Sequence, residues 1–348
     1  MKAAVLENIN APLTVADVEP GELSVGHVLV KMLVSGICGT QLHEIAGNRG
    51  NAKFVPHLLG HEGCAIVERT GPDVTKVKKG DKVVVHWRKS DGIEADFPTF
   101  IFKGKTIRSG KSTTFSEYSI VSENRVTPVP HDISNDFCAL LGCGLSTALG
   151  AVTNDAKVRS GESVMVVGLG GLGACLMKAA RLAGAKPVIG VDIHDSKKSI
   201  VEELHGDLFV NAAKENISET FQRELGIKDV SVILDASGNA QSIADTLPLL
   251  ADGGRYVLVG FLKPGESFEV KNANHLFGAL YGKTIKASQG GGFSPSTDIP
   301  RYIEQFKSGA LDIDHLITHR STLDNINDAI ELMRTGKANR IMIDFENP

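Results

Sequence analysis

This chain of 348 residues lacks several sequence features that indicate a membrane protein, a nucleic-acid-binding protein or a secreted protein. No stretch of about eighteen apolar residues is present to span a bilayer, and no basic run points to a nucleic-acid partner. The first residues lack the long apolar core of a signal peptide, and the net charge is −4 at pH 7. We therefore expect a cytoplasmic protein with neither a membrane nor a nucleic-acid partner.

Cysteine is scarce as well. The five cysteines are odd in number and scattered along the chain, so they do not form a secreted disulfide framework, and free thiols in a reducing compartment are expected. With 42% hydrophobic and 22% charged residues, the composition is that of an ordinary soluble protein and does not indicate disorder. The length predicts two domains, each with its own core.

The most informative stretch runs from Ser163 to Asp192. The β-branched run Val164–Val167 predicts a strand buried on both faces. The sequence GLGGLG follows, and apolar residues at helical spacing then predict a helix that stops at Gly184. A second apolar run, Val188–Val191, ends in an acid. Strand, glycine turn, helix, strand and acid together make a complete βαβ unit.

The glycines and the acid of this unit predict a dinucleotide site. Gly168 permits the tight turn, and Gly173 allows the helix to pack closely on the strand. Gly170 and Gly171 let a pyrophosphate approach bare backbone at the helix N-terminus. Asp192 can accept hydrogen bonds from both ribose hydroxyls but would repel a 2′-phosphate, so NAD is expected in preference to NADP. The alternative is a glycine-rich loop in some other α/β protein.

The flanking sequence predicts two domains of different kinds. Up to about residue 144, short β-rich runs between Gly, Pro and Asp turns predict a compact antiparallel unit; they include Val28–Val34, Ala65–Glu68 and Val83–His86. Later strands alternate with helical stretches, as a doubly wound parallel sheet requires; they are Val230–Leu234, Arg255–Val259 and Thr284–Ala287. The other predicted elements are helices at Asp136–Leu141, Thr147–Val152, Ile299–Ser308 and Ile326–Met333, and a last strand at Arg340–Phe345.

Metal-capable residues are concentrated in three segments of the first domain. The segments are SGICGTQLH at 35–43, LGHEG at 59–63 and LGCGLST at 141–147, and they contain Cys38, His61 and Cys143. Their separations are far from a compact CxxC pattern. Spacing alone therefore leaves open two buried free cysteines and an ordinary surface histidine.

In this order, and followed by GLGGLG and Asp192, the three segments resemble the zinc-dependent medium-chain alcohol dehydrogenases, including their glutathione-dependent formaldehyde dehydrogenase branch. The resemblance covers nearly the whole chain. It implies an α/β fold with a GroES-like β-rich catalytic domain, residues 1–144 and 290–348, and a Rossmann NAD-binding domain, residues 145–289. It also implies that Cys38, His61 and Cys143 hold a catalytic zinc and leave its fourth tetrahedral position for water or a substrate oxygen.

The resemblance assigns three further residues to the chemistry. Glu62 is similar to the family's acid beside the metal, which can ligate it transiently. Thr40 matches the hydroxyl residue that bonds the substrate oxygen, and His43 the imidazole that passes the proton to solvent through the cofactor ribose. The residues by themselves also allow Thr40 as a hydroxyl capping a short helix, and His43 as a solvent-facing side chain on it.

Cofactor contacts and assembly are implied in the same way. Thr147 matches the residue packed on the nicotinamide, and Lys197 the lysine near the adenosine ribose, although a solvated helix charge is equally compatible with the latter. Arg340 matches the arginine that approaches the pyrophosphate, which implies that the tail returns to the first domain. A homodimer or homotetramer is expected, because the strand at Thr284–Ala287 would otherwise end the sheet with unpaired backbone groups.

The chain departs from the family in its metal-binding sequence. No cysteine lies in residues 85–93, where many members carry four closely spaced cysteines that bind a structural zinc, so one zinc per chain is expected. The common aspartate of the first segment is replaced by Gln41, which puts a neutral amide in place of a carboxylate partner for a zinc ligand.

The same region suggests a substrate class. Trp87 falls where relatives line the substrate pocket, and basic residues are clustered nearby; they are Arg88, Lys89, Lys103, Lys105 and Arg108. A polar entrance of this kind would suit an anionic or polyhydroxylated alcohol, such as a sugar or cyclitol derivative. The alternative is a solvated basic loop.

These observations predict a zinc-dependent oxidoreductase that transfers hydride between a small-molecule alcohol and NAD. One alternative is a zinc-free quinone or enone reductase on the same fold, which would need neither Cys38 nor Cys143 and would usually prefer NADPH. A second alternative, of another class, is a non-catalytic NAD-binding or structural protein.

Overall fold

The structure is a computed structural model that describes residues 1–270, 273 and 280–345. The chain divides into two compact units, Met1–Ser146 with Ser294–Pro348 and Thr147–Phe293. Among the described residues, no single helix has the length and apolar character needed to cross a membrane; one bent pair, Asn135–Leu141 with Gly144–Asp155, meets the criterion by length and composition only.

The described residues form strands and α-helices with the following bounds. The strands are β1 Lys2–Leu6, β2 Thr14–Asp17, β3 Glu19–Pro20, β4 His27–Ile37, β5 His57–Leu58, β6 Glu62–Thr70, β7 Lys82–His86, β8 Thr99–Phe102, β9 Lys105–Ser109, β10 Tyr118–Ser122, β11 Val126–Val129, β12 Val164–Val167, β13 Val188–Asp192, β14 Leu208–Asn211, β15 Val230–Asp235, β16 Leu250–Leu258, β17 Thr284–Ala287, β18 Ile317–Thr322 and β19 Arg340–Asp344. The helices are α1 Gly39–Ile45, α2 Asn135–Leu141, α3 Gly144–Gly150, α4 Gly171–Leu182, α5 Lys198–Glu203, α6 Ile217–Leu225, α7 Ala240–Thr246, α8 Pro295–Lys307 and α9 Ile326–Arg334.

Strand β4 is the centre of the first unit. It pairs antiparallel with β6, β10 and β19 in a sheet ordered β11-β7-β6-β4-β19-β18, and a second sheet runs β2-β1-β5-β9-β8-β3. The long apolar run of β4 fits this central position, where every residue except Leu29 and Lys31 is buried. Because β19 pairs with β4, the C-terminal segment returns to the first unit, as the resemblance implied.

The second unit is a parallel sheet with helices between its strands. The strand order is β14-β13-β12-β15-β16-β17, the order of a doubly wound dinucleotide-binding fold. All four residues of β12 are buried, which suits the middle of such a sheet. The predicted α/β fold class is confirmed. Strand β17 lies at the end of the sheet and is largely exposed; pairing of two chains through it stays a prediction for light scattering to test.

Two glycines of the turn after β12 are required by geometry. Gly168 has a φ of 83°, in the left-handed region, and a Cβ there would lie 2.8 Å from the backbone of Ser237. A Cβ at Gly173 would lie 1.9 Å from the carbonyl oxygen of Gly168, so α4 packs against the turn more closely than any side chain permits. The glycine turn is therefore built from residue types that the backbone demands.

Two helices begin earlier than their periodicity predicted. Helix α3 begins at Gly144 rather than at Thr147, because the Glu62 carboxylate accepts a hydrogen bond from the Gly144 N–H at 3.0 Å and so satisfies one of the first-turn donors. Helix α8 begins at Pro295 rather than Ile299, since proline suits the first position of a helix. Neither signal belongs to the apolar pattern.

The segment that stands in place of a structural-zinc lobe is fixed by two acids. Glu123 is 1% exposed and accepts three backbone N–H bonds, from Thr75 at 2.7 Å, Lys76 at 2.8 Å and Ile93 at 2.7 Å. Burial opposes its charge, but these bonds lower the pKa of Glu123 below the usual range. The Glu123 carboxylate therefore holds this loop through hydrogen bonds to backbone N–H groups, without a metal ion.

Glu94 is the second acid. It forms ion pairs with Lys89, with Lys111 at 3.3 Å and with Arg125 at 3.4 Å. The hydrogen bond with Lys89 is the main reason that the pKa of Glu94 falls to about 2. Part of the basic cluster seen in the sequence is thus neutralised within the loop.

Replacing Glu123 by Gln should lower the free energy of unfolding by about 2 kcal/mol at pH 7, because an amide cannot accept all three backbone bonds. Since the folded pKa of Glu123 is lowered, its contribution is complete above the unfolded value of about 4.5 and is lost as the pH falls below it. Urea unfolding should therefore show the difference shrinking from pH 7 to pH 4. The exposed Glu19→Gln is the control, and a difference independent of pH would contradict the assignment.

Candidate active site

The three predicted metal ligands converge in the first unit. Cys38 is the N-cap residue of α1, His61 immediately precedes β6, and Cys143 lies between α2 and α3. One sulfur or nitrogen atom from each lies within 4.8 Å of the others, and no other such His, Cys, Asp or Glu group occurs in the described ranges. This convergence contradicts the alternative of two separate free cysteines and a surface histidine, and it makes a cluster of the size that binds one cation.

The electrostatics of the cluster suit a divalent cation. Contact with the Cys143 thiol lowers the pKa of Cys38 well below its usual range, and His61 and Arg340 act in the same direction. The same contact raises the pKa of Cys143. The first proton of the thiol pair is thus lost readily, whereas the second is retained by the neighbouring negative charge. A metal ion that displaces this proton satisfies both sulfurs.

Gln41 has an unusual position beside the cluster. It is fully buried; its Oε1 accepts the Cys38 backbone N–H at 3.0 Å, and its Nε2 donates to Glu44 Oε2 at 3.3 Å. A backbone donor requires the amide oxygen and a carboxylate requires the nitrogen, so these two partners fix the orientation of the amide. Its Nε2 therefore faces His61 Nδ1, at 2.7 Å, as a donor.

Glu62 and Arg340 form a buried ion pair next to the ligands. Arg340 Nη1 lies 2.7 Å from Glu62 Oε1, and the side chains are 3% and 0% exposed. Arg340 also donates to the carbonyl of Ile37 at 3.4 Å. A Cβ at Gly144 would lie 1.4 Å from Arg340 Nη2, so only glycine fits there. Burial raises the pKa of Glu62, and Arg340 opposes this effect.

Helix α1 carries the two predicted proton-path residues. The Cys38 thiol lies 3.6 Å from the Thr40 hydroxyl, and the N-cap position belongs to Cys38. Thr40 is therefore not the residue that begins the helix. His43 is half-buried in the last turn of α1, a position that agrees with the proton path and with the alternative of a solvent-facing side chain.

Three of the predicted nucleotide residues line one cavity in the second unit. The cavity has a volume of about 790 Å³ and is lined by Gly168, Gly170, Asp192, the residues that follow β15 and residues of α7. The Asp192 carboxylate accepts N–H bonds from Leu169 at 2.7 Å and Ile193 at 2.7 Å. A Cβ at Gly170 would meet no atom within 4 Å, which leaves open space for a phosphate against the backbone.

Two other cofactor candidates are also placed. Lys197 is only 5% exposed, which rules out the alternative of a solvated helix charge; burial lowers its pKa, and the charge of Asp192 opposes that shift. Thr147 is 6% exposed, and its hydroxyl has no hydrogen-bond partner among the described residues. Such an orphan hydroxyl suits a residue that a bound cofactor covers.

The residues of the basic cluster have different partners and positions in the structure. Arg88 lies 5.9 Å from the centre of the Trp87 ring in a cation–π contact. Lys89 pairs with Glu94, and Lys103 with Glu7 at 2.9 Å. Lys105 and Arg108 lie on β9. Arg88 is thus the basic residue that accompanies the predicted pocket residue Trp87.

Comparisons with known proteins agree with this geometry. The alcohol dehydrogenase GroES-like domain matches residues 24–131, and the zinc-binding dehydrogenase domain matches residues 171–308. The chain is 30% identical to S-(hydroxymethyl)glutathione dehydrogenase of Paracoccus denitrificans over 98% of this chain and 99% of the relative. Alcohol dehydrogenase 6 of Peromyscus maniculatus is also 30% identical, over 98% and 97%.

Solved structures show the same fold. A zinc-binding domain alcohol dehydrogenase from Burkholderia ambifaria superposes with a TM-score of 0.88 at 26% identity, and benzyl alcohol dehydrogenase from Acinetobacter calcoaceticus with 0.87 at 25%; each pair is covered over 99% of both chains. The chain belongs to the zinc-dependent medium-chain alcohol dehydrogenase family and is an oxidoreductase. Zinc and NAD are its cofactors, and the Cys–His–Cys cluster and the Gly170 cradle fit them.

Sequence reasoning missed how the residues next to the ligands are used. It assigned Glu62 and Arg340 to the metal and the pyrophosphate separately, whereas the structure pairs them. It treated Gln41 only as a lost carboxylate. The position of Gln41 three residues after an N-cap is the capping-box spacing, which could have revealed the bond to the Cys38 backbone.

Arg340→Met should lower the free energy of unfolding by about 3 kcal/mol or more, because it leaves the Glu62 carboxylate buried without its cation. The double variant Glu62→Gln, Arg340→Met should lose less than the single variant, as urea denaturation can measure. Arg320→Met, on the neighbouring strand, removes the ion pairs with Asp136 and Asp344 from a side chain that is 49% exposed and should cost only about 1 kcal/mol. Equal losses in the single and double variants would contradict the coupling.

Proposed function

We propose that this protein interconverts an alcohol and its carbonyl product, with NAD as the hydride carrier and one zinc ion per chain. The observation that carries the proposal is the convergence of Cys38, His61 and Cys143. A zinc-free quinone or enone reductase would need neither thiol, and a non-catalytic NAD-binding protein would need no open metal site. Both alternatives leave the cluster without a purpose.

Cys38, His61 and Cys143 would hold the zinc through three protein ligands, the number typical of a catalytic rather than a structural site. When bound, zinc supplies Lewis-acid polarisation of the substrate oxygen, and NAD exchanges the hydride. The Thr40 hydroxyl takes the proton of the alcohol as it gives up its own, and His43 passes the released proton towards solvent. The placement of Thr40 beside the Cys38 thiol supports this path. Glu62 supplies negative charge beside the metal, and Arg340 holds its carboxylate in place.

In the second unit, the glycine turn binds the pyrophosphate and Asp192 the adenosine ribose. The open space at Gly170 and the cavity beside Asp192 support these roles. A carboxylate at this position disfavours a 2′-phosphate, so NAD should bind more tightly than NADP. Lys197 and Thr147 are assigned to the ribose and the nicotinamide on their burial. The approach of Arg340 to the pyrophosphate stays a prediction, since its guanidinium contacts Glu62 here.

The substrate proposed is a polyhydroxylated or anionic alcohol, such as a sugar or cyclitol derivative. The pairing of Arg88 with Trp87 supports this choice, because it puts a planar cation with several donors beside an apolar ring. A short aliphatic alcohol would contact only the Trp87 ring, whereas a polar or anionic alcohol would contact both the ring and the Arg88 guanidinium. Lys89 and Lys103 contribute less, since each is already paired with a carboxylate.

Cys143→Ser should remove zinc and activity, because a thiolate binds zinc more strongly than the serine hydroxyl that replaces it. NAD binding should stay within about twofold of the parent, because the glycine turn and Asp192 belong to the other unit. Elemental analysis and calorimetric titration with NAD measure the two properties separately. Cys175→Ala, in α4, is the matched control and should keep its zinc. Full zinc content in both Cys38→Ser and Cys143→Ser would sink the ligand assignment.

Gln41 should weaken zinc retention. Its amide donates to His61 Nδ1, so the neutral ring carries its proton on Nε2. A metal that binds Nε2 would move this proton to Nδ1. The Gln41 amide must then turn to accept it and give up its bonds to Cys38 and Glu44. The exchange of Gln41→Glu with Glu44→Gln keeps the charge constant and lets a carboxylate accept from both Cys38 N–H and Nδ1–H.

The exchanged protein should bind zinc about tenfold more tightly than Glu44→Gln alone, the size expected for a partner of a metal-bound histidine. Competition with a chromophoric chelator measures the affinity without any enzyme assay. An unchanged or weaker affinity would show that the amide imposes no such cost.

Arg88→Ala should lower kcat/KM at least about tenfold for the preferred anionic or polyhydroxylated alcohol, because a charge-assisted contact contributes about 1.5–3 kcal/mol. The same change should alter the value for a short aliphatic alcohol by less than about twofold. Lys105→Ala, in the same basic cluster but on β9, is the control. A preference of the unmodified enzyme for ethanol over every sugar or cyclitol tested would contradict the substrate class.

A further inference from the structure

A second pair of cysteines lies close to the metal cluster but takes no part in it. Cys64 is on β6 and Cys138 is on α2, and both are 0% exposed. Neither residue belongs to the Cys–His–Cys group. They lie three residues after His61 and five residues before Cys143, on the two segments that lead to those ligands.

The two thiols face each other between the sheet and α2. Alternate residues of a strand share a face, so Cys64 is on the same face of β6 as Glu62. The Cys64 thiol donates to Asn135 Oδ1 at 3.7 Å. Cys138 is three residues after Asn135 and so lies on the same side of α2. In agreement with this geometry, contact with the Cys64 thiol is the main reason that the pKa of Cys138 is lowered.

A buried cation accompanies the pair. Lys82, on β7, is 5% exposed and is the registered partner of Ile66, two residues along β6 from Cys64. Its ammonium donates to the carbonyls of Ile133 and, at 3.3 Å, of His131, just before α2 begins. The positive charge also favours the Cys138 thiolate. The thiolate is the form of cysteine that reacts with a peroxide, so the ammonium of Lys82 favours reaction at Cys138 over Cys64.

We propose that Cys64 and Cys138 form a reversible disulfide when the protein meets a hydroperoxide, and that this link loosens the metal site. The Cys138 thiolate attacks a peroxide oxygen, the O–O bond breaks, and a sulfenic acid forms while the other oxygen leaves as water or an alcohol. The Cys64 sulfur then displaces water from Cys138. Two thiols are oxidised, the peroxide is reduced, and a thiol reductant reverses the change.

The consequence follows from where the link lies. A disulfide brings its sulfurs to about 2.05 Å, well inside any non-bonded contact, so it draws α2 towards β6. Strand β6 begins at Glu62, next to His61, and α2 ends two residues before Cys143. The link therefore shifts segments that carry two of the three proposed ligands. This effect rests on the proposed zinc site, whereas formation of the link does not.

The test uses the zinc-loaded protein and hydrogen peroxide. Mass mapping without reduction should find the peptides of Cys64 and Cys138 joined and two hydrogens lighter, before Cys38 or Cys143 is modified. Zinc transfer from the linked protein to a chromophoric chelator should be about tenfold faster and should return to the original rate after dithiothreitol. Cys138→Ala should prevent both changes, and Cys175→Ala should prevent neither.

Two results would overturn the proposal. One is oxidation of Cys38 or Cys143, with zinc loss, before any Cys64–Cys138 link appears. The other is a linked protein whose zinc-transfer rate equals that of the reduced protein. Because the link is detected by mass, a failure of the dehydrogenase assignment would leave its detection unaffected, and the two failures can be told apart.

Discussion

The buried ion pair between Glu62 and Arg340 is the interaction on which the active site depends. Arg340 donates to the carbonyl of Ile37, which precedes Cys38, and Glu62 follows His61. The other Glu62 oxygen accepts the N–H of Gly144, which follows Cys143. One ion pair thus contacts a neighbour of each proposed ligand and joins three distant segments of the chain. Removing the pair from water is costly. Gly36 and Gly144 make room for it, since a Cβ at either position would collide with the Glu62 or Arg340 side chain.

This constraint explains why the last strand matters to a site near the start of the chain. Strand β19 pairs with β4 and brings Arg340 beside the ligands. The arrangement leaves little freedom to Glu62, so its charge is fixed beside the proposed ligands. By contrast, Gln41 meets its partners best when His61 accepts a hydrogen bond from its amide. The site therefore combines a rigid acid with a histidine whose amide partner would have to turn for the proposed metal to bind.

Much of the fold could be predicted because its signals are local. The run Val164–Val167, the glycine turn and Asp192 each have a backbone or packing requirement that only certain residues meet, and the structure has the strand at the predicted bounds. The start of α3 could not be predicted in this way, since its first turn is satisfied by Glu62 from another strand. The three proposed ligands were predicted through resemblance, because no spacing rule connects residues 38, 61 and 143.

The contacts that tune the site were the least predictable. The Glu62–Arg340 pair, the orientation of Gln41 and the approach of Cys64 to Cys138 all join residues far apart in sequence, and each depends on a register or a face that only the folded chain defines. The charges of the basic cluster were visible in the sequence, but their neutralisation by Glu94 and Glu7 was not, because an acid's partner is chosen by position rather than by composition.

X-ray absorption at the zinc edge of the purified protein tests the central claim most directly. The account predicts a four-coordinate zinc with two sulfur ligands at about 2.3 Å and nitrogen or oxygen ligands at about 2.0–2.1 Å. A zinc with no sulfur ligand, or with three or four, would contradict the assignment of Cys38, His61 and Cys143.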